Sequence, residues 1–159
     1  MHEVCPAIVM LTSPNNPTGT VLPMDALERV LAEAERVEVA GSSRPTHPIV
    51  VVDEAYVEFR DPGTPSAVSL IDRFPDFPVS RTIRNAFAFA GARVGYIAAN
   101  PSVIDCLRIV RMPYHRAALT QAAALAALEH TDEQLEQVGH LRRTRQETAA
   151  WLREQTYHG

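Results

Sequence analysis

The sequence contains no lysine, because all fifteen of its Lys+Arg residues are arginine. The β-branched run 50–52, followed by Asp53 and Glu54, matches the pattern of the metal-side strand of a nucleotide hydrolase. Such an enzyme also needs a phosphate loop of the form G-x-x-x-x-G-K-[ST], whose lysine contacts the phosphates. A chain without lysine cannot supply that loop, so the nucleotide-hydrolase interpretation is rejected. Gly91 and Gly95 lack the spacing G-x-G-x-x-G, which also excludes the usual dinucleotide-binding motif.

Residues that ligate metals or form disulfides are scarce. Cys5 and Cys106 are the only cysteines, and they form no C-x-x-C pair. Neither a disulfide framework nor a zinc site is therefore indicated. The six histidines show no H-E-x-x-H or paired spacing, so we expect no metal site.

Long apolar runs and an excess of positive charge are also missing. The N-terminus has no basic region followed by a long apolar run, and no apolar run approaches the ~20 residues that span a bilayer. We therefore expect no secretory signal, no membrane partner and a cytoplasmic location. The formal net charge of −4 argues against nucleic acid as the main partner.

What is present fits one globular domain. The chain has 159 residues, of which 46% are hydrophobic and 21% charged. Short apolar runs alternate with segments of helical period, which predicts an α/β layered architecture. Strands are predicted at 7–12, 49–52, 79–83 and 94–99, and helices from Pro23 and at 66–74, 101–111, 117–129 and 131–155.

Several segments also carry an expectation about burial. The run 49–52 is β-branched throughout, as expected of a strand buried on both faces of a parallel sheet. Ser66 is a candidate cap for the short helix that follows it. The Ala/Leu-rich helix 117–129 is predicted to pack tightly, and the helix 131–155 is amphipathic. Its apolar stripe comprises Leu135, Val138, Leu141, Thr148 and Leu152.

Polar side chains stand at the ends of three predicted strands, and open α/β sheets bind ligands beyond the carboxyl ends of their strands. Asp53 follows an entirely apolar run, so an unpaired carboxylate there would be costly to bury. Two interpretations stay open for it: an acid that caps local backbone amides, or a carboxylate that faces a cation on a ligand. The other strand-end residues are Asn15, Asn16, Tyr56, Thr82 and Arg84.

Three separated motifs, in this order and spacing, carry a specific resemblance: SPNNPTGT at 13–20, VVDEAY at 51–56 and RTIRNAFAFAGARVGY at 81–96. Together they resemble the large domain of the fold-type-I pyridoxal-phosphate (PLP) aminotransferases. Within that group they resemble the histidinol-phosphate aminotransferases most closely. The resemblance implies an α/β fold with a mostly parallel sheet flanked by helices, and PLP as the cofactor.

The resemblance also implies roles for single residues. Asn16 and Tyr56 would hydrogen-bond the phenolic oxygen of the cofactor. Asp53 would pair with the pyridine nitrogen and keep it protonated, which makes the ring an electron sink. Thr82 and Arg93 would hold the cofactor phosphate, the arginine through a charge-assisted bond.

Two adjacent positions depart from the family pattern Ser-Lys-Ala-Phe. Asn85 stands where the family has the lysine that carries the cofactor covalently and moves the substrate proton. An asparagine amide has no basic nitrogen and can do neither. Arg84 replaces a small hydroxyl, and it either adds positive charge near the phosphate or crowds the pocket. Gly91 and Gly95 either allow close backbone approach or are ordinary turn glycines.

The extent of the resemblance predicts residues 1–159 to be an incomplete PLP-binding large domain, without the N-terminal part and the small C-terminal domain. The family's strand order would then leave both sheet edges exposed. Our main hypothesis is a fragment of an enzyme that moves an amino group between histidinol phosphate and 2-oxoglutarate in histidine biosynthesis, homodimeric by family and inactive in this chain. The alternatives are a non-catalytic PLP or phosphate-ester binding protein on the same scaffold, or another class I/II aminotransferase.

Overall fold

The computed structural model describes residues 1–43, 46–87, 91, 93–112 and 117–155. Its four strands pair in the order β1-β2-β3-β4. The first three run parallel and β4 pairs antiparallel with β3, so the expected mostly parallel sheet is confirmed. Each strand lies within one residue of its predicted bounds. The strands are β1 Ile8–Thr12, β2 Ile49–Asp53, β3 Val79–Thr82 and β4 Gly95–Ala98.

The predicted helices are present, with small changes at their ends. Pro23 stands just before the first helix with extended dihedral angles (φ −59°, ψ 140°) rather than inside its first turn. The Ser66 cap is confirmed, because its hydroxyl accepts from the Val68 amide at 3.1 Å. That helix is only the 3₁₀ helix Ala67–Leu70, and another 3₁₀ helix, Val57–Phe59, was not predicted. The α-helices are α1 Met24–Ala34, α2 Pro101–Val110, α3 Ala118–Glu129 and α4 Thr131–Glu154.

The core lies between α1 and one face of the sheet. Leu27 and Leu31 are four residues apart on α1, so they lie on the same face of the helix. That face packs against Val50 and Val52 of β2, which are 2% and 0% exposed. The remaining buried members of the cluster are Ala34, Ala67, Leu70, Phe74, Phe77 and Val79.

The opposite face of the sheet is apolar but open. Side chains alternate along a strand, so residues next to the buried valines point away from α1. Met10 is 72% exposed, Ile8 58%, and Ile49 and Ile97 42% each. The expectation that 49–52 is buried on both faces is therefore wrong for this chain. β1 and β4 form the two sheet edges, as the resemblance implied.

The last three helices bury little of their apolar surface. α2 and α3 have no buried residue, and α4 buries only Val138, so the predicted tight packing of α3 is wrong. Of the predicted α4 stripe, Leu135 and Leu141 remain 39% and 54% exposed. The apolar periodicity of a helix shows which of its faces can pack against another element, but it does not show whether such an element is present. Among the described residues, no helix is long and apolar enough to cross a membrane.

Candidate cofactor-binding site

A cavity of about 320 Å³ opens where β2 and β3 end. Its volume is at the lower end of the range of ligand pockets, about 300–1,000 Å³. The structure brings most of the predicted site residues to this cavity, although they come from separate segments of the chain. Its lining comprises Asp53, Ala55, Tyr56, Arg81, Thr82, Arg84, Asn85, Arg93, Val94 and Gly95.

Asp53 is the last residue of β2 and pairs in register with Ser80 of β3. Its Oδ1 atom accepts from the Ala55 amide at 3.0 Å and from the Ser80 hydroxyl at 3.1 Å. The local-capping interpretation of Asp53 is thus realised in this structure. Because both bonds end on the same oxygen, the carboxylate keeps capacity to accept from a ligand at the cavity.

Tyr56 connects this cavity to a second one of about 270 Å³, which Asn16 lines. Asn16 is not part of the first cavity's lining, and it reaches that site through Tyr56. Its Nδ2 atom donates to the Tyr56 hydroxyl at 2.8 Å. Because the phenolic oxygen accepts this bond, its own proton can be donated to a ligand acceptor.

Thr82 and Arg93, the predicted phosphate contacts, both line the cavity. The Thr82 hydroxyl donates to the Val94 carbonyl at 3.0 Å and accepts from the Arg84 amide at 3.1 Å. It must therefore leave the carbonyl before it can donate to a phosphate. Arg93 has a φ of 53°. This left-handed backbone conformation is uncommon for residues other than glycine and tends to occur at functional sites.

Asn85, at the expected lysine position, is half-buried beside the cavity. Its Nδ2 atom donates to the backbone carbonyl of Ala55 at 2.9 Å. The residue therefore contacts the segment that carries Asp53 and Tyr56, and its amide donor has a partner in the protein.

The charge of the lining is positive, with Arg81, Arg84 and Arg93 against a single acid, Asp53. The charge of Arg81 is largely balanced by its ion pair with Glu54. Burial opposes its charge, but hydrogen bonds with Tyr96 and Glu54 outweigh burial and raise the pKa of Arg81. The three arginines outnumber the single acid of the lining, which favours an anion at the cavity.

Glu54, the buried partner of Arg81, supports the cavity lining and is not among the residues that the sequence predicted for the site. Its side chain is 2% exposed, and its Oε2 accepts from Arg81 Nε at 3.0 Å and Nη2 at 2.7 Å. The Ser66 hydroxyl and the Ala67 amide each donate to the same carboxylate at 2.8 Å. Alternation could have placed Glu54 on the face opposite Asp53, but its partners depend on strand register and on a distant loop.

The glycines of the third motif differ from each other. A Cβ built on Gly95 would lie 2.8 Å from the backbone oxygen of Arg81, so the pairing of β3 and β4 requires glycine there. A Cβ on Gly91 meets no atom of the described residues within 4 Å, its chain neighbours aside. Residues 88–90 and 92 of the same motif lie outside the described part of the chain. Within that part, no three His, Cys, Asp or Glu side chains cluster in a way that could hold a metal.

Comparison with known proteins finds similarity over nearly the full length of this chain. Residues 2–156 match the family "Aminotransferase class I and II". The histidinol-phosphate aminotransferase of Bifidobacterium longum is 68% identical over 155 residues, which is 98% of this chain and 40% of that protein. The enzyme of the same name from Bifidobacterium adolescentis is 65% identical over 100% of this chain and 41% of its own length. The chain thus spans about 40% of the length of these curated relatives.

Solved structures agree on the fold. The histidinol-phosphate aminotransferase of Sinorhizobium meliloti in complex with pyridoxal-5'-phosphate superposes with a TM-score of 0.70 at 29% identity, covering 88% of this chain and 35% of that chain. The enzyme of the same name from Clostridium acetobutylicum gives a TM-score of 0.74 over 93% of this chain and 42% of that chain. Its 24% identity supports the fold alone.

Proposed function

The chain belongs to the class I and II aminotransferase family, and on that basis we propose that it carries the PLP-binding part of a histidinol-phosphate aminotransferase. The observation that carries the proposal is the 68% identity to a relative of that name over 98% of this chain. The parent reaction would move an amino group between histidinol phosphate and 2-oxoglutarate. Because the chain spans about 40% of that relative, the complete reaction belongs to a longer protein.

The cavity residues fit PLP. Asp53 has a carboxylate for the pyridine nitrogen, and Tyr56 has a hydroxyl proton to donate to the phenolic oxygen. Arg93 and Arg84 offer positive charge for the phosphate, and Thr82 offers a hydroxyl. When bound, PLP supplies an electron sink to the reaction, and the protein supplies orientation and charge around it.

Asn85 makes this chain a non-covalent binder. An amide nitrogen is not basic, so it neither bonds to the cofactor carbonyl nor carries the substrate proton. No other residue replaces it, because the chain has no lysine. We therefore expect the chain to bind PLP reversibly and to show no transamination.

A titration tests this proposal. PLP is added to the purified chain and followed by absorbance, then the mixture is reduced with borohydride and analysed by mass spectrometry. We expect saturable binding, no reduced adduct at residue 85, and no turnover of histidinol phosphate with 2-oxoglutarate. Arg93→Gln should weaken binding, whereas Arg73→Gln, whose side chain is 63% exposed and pairs with Glu28, should not. Measurable turnover would refute inactivity, and absence of binding would refute the cofactor assignment.

The lysine position is tested by restoring it. Asn85→Lys should give a reducible PLP adduct at residue 85, since the side chain lies at the cavity. If that variant binds PLP but forms no adduct, the assigned lysine position is wrong.

A second candidate function is the non-catalytic capture of phosphate esters other than PLP. It is favoured by Arg84, which adds a charge at the cavity where the family pattern has a small hydroxyl. Histidinol phosphate alone would then bind as tightly as PLP and compete with it, and Arg84→Ser would weaken both ligands. A homodimer and a cytoplasmic location complete the proposal, and sedimentation of the purified chain tests the first of these.

A further inference from the structure

Asn85 bridges two segments that the sheet itself holds only weakly. The β2–β3 ladder pairs just Val52 with Val79 and Asp53 with Ser80. Beyond it, the Glu54 amide donates to the Ser80 carbonyl at 2.8 Å. The bond from Asn85 to the Ala55 carbonyl comes next and joins residues 30 apart in sequence. It therefore extends the connection between β2 and β3 past the end of their ladder.

Ala55 lies at the centre of the segment 53–56. Its amide donates to Asp53 Oδ1 at 3.0 Å, and its carbonyl accepts from Asn85 at 2.9 Å. The amide of this residue thus donates to the Asp53 carboxylate, and its carbonyl accepts from Asn85. A shift of the Ala55 backbone would move Asp53 on one side and Tyr56 on the other.

The opposite side of the cavity is held by other contacts. Thr82 is bonded to the Val94 carbonyl and the Arg84 amide. These bonds do not involve the segment 53–56. The bonds that fix Thr82 are therefore separate from the Asn85–Ala55 bond, although Ser80 and Arg81 of β3 also contact Asp53 and Glu54.

We propose that Asn85 is a positioning residue, which orders Asp53 and Tyr56 for the ring of a bound ligand and leaves the phosphate side unaffected. At the position where the family has its lysine, this chain has an amide that organises the site for reversible binding. The inference rests on the proposed function, because it assigns the two sides of the cavity to the ring and the phosphate of PLP.

The first test needs no ligand. Asn85→Leu keeps a similar branched shape but removes the donor, and Asn85→Gln retains an amide. One net hydrogen bond, about 0.5–1.5 kcal/mol, corresponds to about two- to twelve-fold. In Asn85→Leu, the Ala55 amide should exchange with solvent faster by that factor. In Asn85→Gln, the slow exchange should be partly restored. The Leu31 amide in α1 serves as the control. Unchanged exchange at Ala55 would overturn the inference whether or not PLP binds.

The second test separates the two sides of the cavity. Dissociation constants for PLP and for inorganic phosphate are measured with both variants and the unmodified chain. Asn85→Leu should weaken PLP binding by about two- to twelve-fold and leave the dissociation constant of phosphate unchanged. Equal weakening of both probes would indicate a general disturbance and contradict positioning. Failure of the unmodified chain to bind PLP would refute the proposed function, while the exchange result still decides the role of Asn85.

Discussion

The side-chain amide of Asn16 donates a 2.8 Å hydrogen bond to the hydroxyl of Tyr56, 40 residues later. The bond joins the loop after β1 to the segment after β2 at a single oxygen. It also sets the direction of the remaining donor, since an oxygen that accepts from Asn16 offers its own proton elsewhere. Two motifs that are separate in sequence thus act on the cavity as one unit.

Double substitution at this pair should show coupling. Asn16→Ala and Tyr56→Phe each remove the bond, and the phenylalanine keeps the ring contact with Phe59, whose centroid is 6.3 Å away. The coupling energy for PLP binding should be about 0.5–1.5 kcal/mol, the net value of one hydrogen bond. Asn15→Ala is the matched control, because the Asn15 amide bonds to Thr18 at 2.7 Å instead. Strictly additive effects of Asn16→Ala and Tyr56→Phe would contradict the prediction.

Removing the buried carboxylate should destabilise the fold. Glu54→Ala removes a carboxylate that is 2% exposed, whereas Arg81 is 21% exposed and keeps its contacts with Ser66 and Tyr96. The variant also leaves the buried Ala67 amide without its acceptor, and such a loss costs about 1–3 kcal/mol. Glu28→Ala removes an exposed pair with Arg73 at 2.9 Å and should cost less than about 1 kcal/mol. Urea denaturation measures both free energies of unfolding. Glu54→Gln keeps the shape and one acceptor, so its loss in free energy of unfolding should lie between those of Glu54→Ala and Glu28→Ala. Similar losses for the alanine variants at Glu54 and Glu28 would disprove the role of burial.

Glu58 should make stability depend on pH. Burial raises its pKa above the ordinary 4.5, and its Oε2 is buried with no hydrogen-bond partner among the described residues. Nearby Arg81 and Arg60 lower the pKa and Glu54 raises it, but burial is the largest influence. With a raised folded-state pKa, the stabilisation is complete below the unfolded value and is lost as pH rises through the folded value.

Glu58→Gln cannot titrate, so it isolates this contribution. The free energy of unfolding of the unmodified chain, minus that of Glu58→Gln, should fall as the pH is raised from about 4 to about 7. The variant should therefore be relatively more stable at neutral pH. Denaturation curves at several pH values check this, and a pH-independent difference would show that Glu58 titrates normally.

The two glycines of the third motif provide a matched pair. Gly95→Ala places a methyl group 2.8 Å from the Arg81 carbonyl oxygen, so the β3–β4 pairing must shift. Overpacking of this kind costs about 1–3 kcal/mol. Gly91→Ala adds the same atom where no described residue beyond its chain neighbours lies within 4 Å, and it should change stability little. Thermal unfolding compares them, and equal effects would refute the steric argument.

The open face of the sheet should promote self-association. Met10 is 72% exposed on the edge strand β1, and exposed apolar edges favour pairing with other chains. Met10→Arg should lower the sedimentation-detected fraction of larger species without lowering the free energy of unfolding. Ser43→Arg adds the same charge at an exposed loop position and serves as the control. An identical effect of both would mean that charge alone, and not this face, controls association.

Local patterns were sufficient for the four strands and the four α-helices, and for the positions of the polar residues along them, but not for the 3₁₀ helix Val57–Phe59. The β-branched run ending at Asp53 predicted β2, and Ser66 predicted a cap, because both depend on residues within a few positions. Burial was not predictable in the same way. α3 has the composition of a packed helix, yet Leu119 is 81% exposed, because packing depends on what other parts of the fold offer.

By itself, the sequence determined that no lysine amine can serve this site, since that follows from composition alone. It also placed Asp53 and Thr82 at strand ends, where parallel strands bring their carboxyl ends together. Only the tertiary structure decided that Asn85 donates to Ala55 and that Glu54 meets Arg81, pairs separated by 30 and 27 residues. Those contacts depend on the register between strands and on loop conformation, which local sequence does not specify.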